Sequence, residues 1–192
     1  MSKDWLVPIP SDKIYFHDKK IDYRIILGCY LFSMNNLKSN DRYIRDWNLA
    51  SVVKQISEFV NLSPKAIRSK INYLTHIESN EFQHQIDENG GYLNLNTKKF
   101  VPIRNNTVEY LLKNCSHNAI KIYILLNWLT KYKIKITYEV IMRYTNIKSR
   151  ATISKALKEL DELIIINQKI CSRFDSKLDK TIAYKYNVYT IL

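Results

Sequence analysis

The side chains that could do chemistry in this sequence are cations and small polar groups, gathered on two short stretches. In SRATISKALKELDEL (149–163), Lys148, Ser149 and Arg150 lie at the start, and Thr152, Ser154, Lys155 and Lys158 follow. In SPKAIRSKINYLTHI (63–77), Lys65, Arg68 and Lys70 alternate with Ser69 and Asn72, and no acid occurs before Glu78. Lysine and arginine neutralise phosphates, hydroxyls bond to phosphates or bases, and asparagine suits a bidentate contact with adenine. A third group, Arg173, Lys177 and Lys180, falls in the polar segment SRFDSKLDK (172–180). The chemistry on offer is recognition of a polyanion.

Catalysis finds no comparable grouping. The histidines (His17, His76, His84, His117) are scattered, and His84 has no second histidine two residues away to build a His-x-His metal site. A phosphate-binding GxxxxGK[ST] loop is absent, and no cluster of acids resembles a nuclease site. Cys29, Cys115 and Cys171 are widely spaced and odd in number, which fits reduced thiols rather than a disulfide framework or zinc site. The sequence therefore predicts a protein that is not an enzyme and that needs no metal or cofactor.

The order of charges on the second stretch is unusual. Its bases come early, and Glu159, Asp161 and Glu162 come late, the reverse of what a helix dipole prefers. A helix over 149–162 would carry this arrangement at a cost of about 1 kcal/mol. Contacts with phosphate at its basic front end would offset that cost.

Bulk properties agree with a polyanion partner. The chain of 192 residues carries a net charge of +12, unevenly distributed. Residues 1–100 hold 14 Lys and Arg against 11 Asp and Glu, and residues 101–192 hold 16 against 7. A basic half without a basic tail predicts a folded anion-binding surface. With 3 Gly and 4 Pro there is no Gly-rich linker or low-complexity segment. The longest apolar run, IYILLNWL (122–129), is far short of the ~20 residues of a membrane span. The start, MSKDWLVPIPSDK, resembles neither a signal peptide nor a lipidation motif, so a cytoplasmic location away from membranes is expected.

The elements that must position the two stretches form an internal repeat. Ile67, Ile71, Leu74 and Ile77 correspond to Ile153, Leu157, Leu160 and Leu163 at a constant offset, and each helix opens on a capping serine, Ser63 or Ser149. Upstream, FVNLS (59–63) matches YTNIKS (144–149); Asn61 and Asn146 tolerate the left-handed backbone that a tight interhelical turn requires. Before them come the short helices LASVVKQISEF (49–59) and TYEVIMRY (137–144), then the more apolar IDYRIILGCYLF (21–32) and HNAIKIYILLNWL (117–129). Even the entries correspond, VPI at 7–9 and VPI at 101–103, and the longer connection 35–48 against 131–136 absorbs the change of offset.

After each third helix the pattern turns extended. EFQHQI (81–86), DENGG (87–91) and YLNLN read as one hairpin; LIIINQKI (163–170), the tip 172–180 and TIAYKYNVYTI read as another. Alternation puts half of the tyrosines in YKYNVY into the core, and Trp5, Trp47 and Trp128 serve packing. The expected fold is mainly α with small β-hairpin wings, as two tandem winged helix-turn-helix domains at 1–99 and 100–192. In such a motif the last helix enters the major groove, here about 63–76 and 149–162. The second wing, with its three bases, should touch DNA more strongly than the acidic tip DENGG.

Residues 100–192 resemble the winged-helix DNA-binding domains of replication-initiation proteins from plasmids, phages and mobile elements of low-GC Gram-positive bacteria. Arg150, Thr152, Ile153, Ser154, Lys155, Ala156, Leu157 and Leu160 carry the likeness, without the Gly that usually follows such a helix. Two such domains in one chain are similar to plasmid initiators that bind iterated origin repeats. The resemblance implies sequence-specific binding of double-stranded DNA, on an asymmetric or directly repeated site. It also implies a host helicase or helicase loader as partner, with room for self-association. A transcriptional regulator of the same element and a protein–protein adaptor in a conjugation or partition complex are the other readings of the same pattern, the near-neutral first half permitting the adaptor.

Overall fold

A computed structural model describes residues 6–11, 16–36, 43–77, 83–87, 90–95, 99–131, 136–175 and 180–192. The first half runs β1 (Leu6–Pro10), α1 (Tyr23–Asn36), β2 (Tyr43–Arg45), α2 (Ala50–Val60), α3 (Pro64–Thr75), β3 (Gln83–Asp87) and β4 (Gly90–Asn94). The second runs β5 (Phe100–Arg104), α4 (Asn105–Asn114), α5 (His117–Lys131), α6 (Tyr138–Thr145), α7 (Arg150–Lys158), β6 (Ile164–Asp175) and β7 (Lys180–Ile191). The fold is mainly helical with small antiparallel hairpins.

The first half holds a three-stranded sheet, and the second a two-stranded one with a single bridge in the third place. In the first, β2 and β3 flank β4; in the second, Ile136 makes an isolated bridge to Asn187 on β7, whose other neighbour is β6. The strand β2 lies inside the connection 35–48, which the sequence suggested was only a longer loop. Ile44 explains it, being buried beneath the sheet opposite Leu93.

The turn that joins the last two helices opens and closes on the same residue types in both halves, with one residue more in the second. Asn61 caps α2 at φ 51° and Asn146 caps α6 at φ 57°, as their side chains led us to expect. Ser63 Oγ accepts from Ala66 N and Ser149 Oγ from Thr152 N, each at 3.3 Å, and Pro64 begins α3 where no N–H is needed.

The halves meet through their entry strands. β1 and β5 pair antiparallel with Val7 opposite Ile103, Pro8 opposite Pro102 and Ile9 opposite Val101. The pairs Val7–Ile103 and Val101–Ile9 thus exchange about an axis beside the two prolines, and the operation that exchanges them is a half-turn. Asp22 and Ser116, each fourteen residues past its proline, cap α1 and α5 by accepting from Arg24 N at 3.1 Å and Ala119 N at 3.3 Å. Phe16 stacks on Tyr23 and on Trp128 across the join, with ring centroids 5.6 and 6.1 Å apart. One continuous apolar core results, with α1 and α5 in contact at its centre. That position explains why both are apolar on nearly every side.

One helix, α4, was not expected, since the repeat pattern gave its stretch no element. Val108, Leu111 and Leu112 are nevertheless at helical spacing and all buried. Cys29 and Cys115 are free and buried, and burial pushes their thiols up to about 12 and about 11, away from reactivity.

α1 and α2 pack closely at Gly28 on α1. A Cβ there would lie 2.4 Å from Val60 Cγ1 on α2. Gly28→Ala should therefore lower stability by about 1–2 kcal/mol, although alanine is the better helix former. Urea denaturation checks this, and the double variant with Val60→Ala should lose less than the two single variants together.

Candidate nucleic-acid interface

The inward stripe of α7 is Ile153, Ala156 and Leu157, continued by Leu160 beyond the helix end, all buried. Its outward side therefore carries Ala151, Lys155 and Lys158, all exposed, with Thr152 and Ser154 half-buried on the flanks and Lys148 exposed just before the cap. On α3, Ile67, Ile71 and Leu74 point inward; Lys65, Ser69 and Asn72 are exposed and Arg68 is half-buried. Each helix thus presents cations and hydrogen-bonding groups along a face that begins at its N-terminus.

Two of the expected cations are already engaged. Arg150 forms an ion pair with Glu139 in the first turn of α6. Lys70 turns toward the buried carboxylate of Asp22, 3.4 Å away, instead of toward open solvent. Ser149 spends an acceptor lone pair on its cap, while its hydroxyl proton stays available.

The reversed dipole suggested for 149–162 is corrected by where the helix stops. α7 ends at Lys158, so Lys155 and Lys158 lie in its last turn, where the dipole favours bases. Glu159 follows as the C-cap, and Asp161 and Glu162 lie in the turn beyond. The carboxylate of Glu159 accepts from Ser116 N at 2.7 Å, which is the positive end of α5. That acid therefore belongs to a different helix's N-terminus, reached from 43 residues away. On the first half, Glu78 lies outside the described residues.

The second hairpin is longer than the alternation suggested. β6 and β7 pair from Ile164↔Ile191 to Asp175↔Lys180, so Arg173 sits within a strand and Lys180 opens one, instead of both lying in a nine-residue tip. Lys177 lies outside the described residues, as do Glu88 and Asn89 of the first tip. Between α7 and the base of the hairpin lies an open groove of about 550 Å³. Tyr138, Ser154, Leu157, Lys158, Ile166 and Gln168 line it, so the hydroxyl and ammonium of α7 face the amide of β6.

No protein-family model, curated protein or solved structure matches the chain. Among the described residues, no group of His, Cys, Asp and Glu could hold a metal ion, and no helix is long and apolar enough to cross a membrane.

A cluster at the join ties α3 to the second half, and no local pattern announced it. Asp22, 5% exposed, has Arg24 Nη2 at 2.8 Å, Lys70 Nζ at 3.4 Å and His117 Nδ1 at 3.2 Å, the last without the alignment of a full hydrogen bond. Burial works against ionisation of this carboxyl, but the His117 ring and the Arg24 guanidinium outweigh it and hold the group well below the usual carboxylate range. Beside it, Tyr73 of α3 donates to Asp18, and Lys121 of α5 donates to the Asp18 carbonyl at 3.2 Å. Burial brings the Lys121 ammonium down to about 8, against the pull of Asp18 and Asp22. Lys20 lies over the Tyr73 ring, 5.4 Å from its centroid, adding an exposed cation beside α3 that sequence spacing could not associate with it.

Asp22→Asn should cost about 1–3 kcal/mol near neutral pH. The folded pKa of Asp22 lies below its unfolded one, so its contribution is complete above about pH 4 and is lost as pH falls through the lower folded value. Urea titrations should find the gap between the two proteins intact at about pH 4 and closing only in stronger acid.

Proposed function

We propose that this protein binds double-stranded DNA sequence-specifically, each half acting as a winged helix-turn-helix with α3 or α7 in a major groove. The observation that carries the reading is the face repeated on α3 and α7. Each has a serine cap, follows a left-handed asparagine turn, and presents exposed lysine beside hydroxyl or amide groups: Lys65 with Ser69 and Asn72 on α3, and Lys155 and Lys158 with Thr152 and Ser154 on α7. The strand order β2–β4–β3, matched by Ile136–β7–β6, supports the same motif in both halves. The surplus of positive charge in residues 101–192 supports firmer binding by the second half, with the β6–β7 hairpin as its wing.

The half-turn between β1 and β5 bears on the kind of site. Carried through the halves, it relates α3 to α7 as the recognition helices of a two-fold dimer are related. Half-sites of opposite orientation then fit better than the directly repeated site suggested by sequence alone. Because the two helices differ in sequence, the half-sites would differ too. The process served is proposed from resemblance alone: replication initiation for a mobile element, with a host helicase or its loader recruited to open DNA.

Lys155→Ala with Lys158→Ala should weaken binding to a footprinted site about 10–100-fold and lower the slope of log affinity against log salt by about 1–2, with the melting temperature nearly unchanged. Unchanged affinity and slope would remove α7 from the interface. A flat salt response in the parent protein would instead favour an adaptor that binds protein.

A further inference from the structure

The outer edge of β6 is unusual for a strand that faces water. Edge strands are normally kept short, broken by proline or a bulge, or covered, because their free N–H and C=O groups recruit other strands. β6 is 12 residues long, contains no proline, and pairs rung for rung with β7 without a bulge. The far edge of β7 makes one isolated bridge, from Asn187 to Ile136, and among the described residues no strand or bridge pairs with the outer edge of β6. Its exposed side chains are also apolar out of proportion, with Ile165 at 45%, Ile166 at 40% and Ile170 at 71% exposure.

What could cover this edge is indicated by its own pattern. The segment Ile166-Asn167-Gln168-Lys169-Ile170 reads as apolar, polar, polar, polar, apolar from either end. In an antiparallel pair, residues directly opposite share a face, and a two-fold axis through Gln168 would set Ile166 against Ile170 twice. Gln168 would meet its own copy, where one amide can donate while the other accepts. Lys169 would face Asn167, so no like charges oppose one another. A random partner strand would have no reason to match this palindrome; a second copy matches it automatically.

We propose that two copies of this chain associate edge to edge through β6, antiparallel about an axis at Gln168. The two hairpins then make one four-stranded sheet, with their turns at opposite ends and clear of the paired segment. Ile166 and Ile170 supply the apolar contact, and the backbone of β6 supplies the hydrogen bonds.

Sedimentation velocity across a concentration series should find a monomer–dimer equilibrium. Ile166→Lys or Ile170→Lys should each raise the dissociation constant at least about tenfold. Combining Ile166→Lys with Ile170→Glu in one chain should restore association, since each lysine then meets a glutamate of the second copy. Gln168→Cys should form a disulfide-linked dimer under mild oxidation. The parent chain should not, because its Cys171 would face residue 165 and lie far from the other Cys171. Both isoleucines are partly exposed, so folding should survive, and circular dichroism verifies it. A monomer at every concentration overturns the proposal. So does a dimer indifferent to the charge variants, which would place the contact elsewhere.

Discussion

The antiparallel pairing of β1 with β5 is the contact on which the rest of the molecule depends. Because it joins Pro8 to Pro102 and each valine to the other half's isoleucine, it sets the halves in a half-turn relation. The N-termini of α1 and α5 are thereby drawn to one place, which lets Asp22 of one half reach His117 of the other, and Lys121 reach back to Asp18. Phe16 and Trp128 stack in the same seam. The strand pair is short, but it determines which charged groups must share a low-dielectric join, and that join then holds Lys70 and Tyr73 of α3. The surface offered by α3 is in this sense set at the seam between the halves.

Helix ends govern the surface of α7 in a similar way. Stopping at Lys158 turns the final bases into favourable partners of the dipole and sends Glu159 to the amide of Ser116. With Ser116 Oγ also capping Ala119 N, two orphan donors of α5 are satisfied, one locally and one from the turn after α7. α5 and α7 are therefore fastened at their ends as well as through their apolar sides. The cations left exposed on α7, Lys155 and Lys158, stand at the end of the helix that is fastened to α5.

Much of the fold was legible because its determinants are local. Ser63, Ser149 and Asn61 act within four residues of themselves, as does the backbone cap of Asn146, and the stripes Ile67–Ile71–Leu74 and Ile153–Leu157 follow from helical period alone. What was not legible depends on distant partners. Nothing near Glu159 in sequence indicates Ser116, and nothing near Lys70 indicates Asp22, so one helix was drawn too long and one cation was counted as open. β2 was hidden because three residues in a polar connection show no period until Leu93 is known to lie opposite Ile44. α4 could have been read from the helical spacing of Val108, Leu111 and Leu112.

The half-turn at Pro8 and Pro102 has a consequence for how this molecule behaves when dilute. Two separate chains paired in that way would fall apart as their concentration dropped, whereas one chain holds its halves at an effective concentration on the order of millimolar regardless of abundance. The tether also frees the halves from being identical. One carries 14 bases against 11 acids and the other 16 against 7. A symmetric pair would meet a linear partner equally well in either direction; this unequal one has a head and a tail.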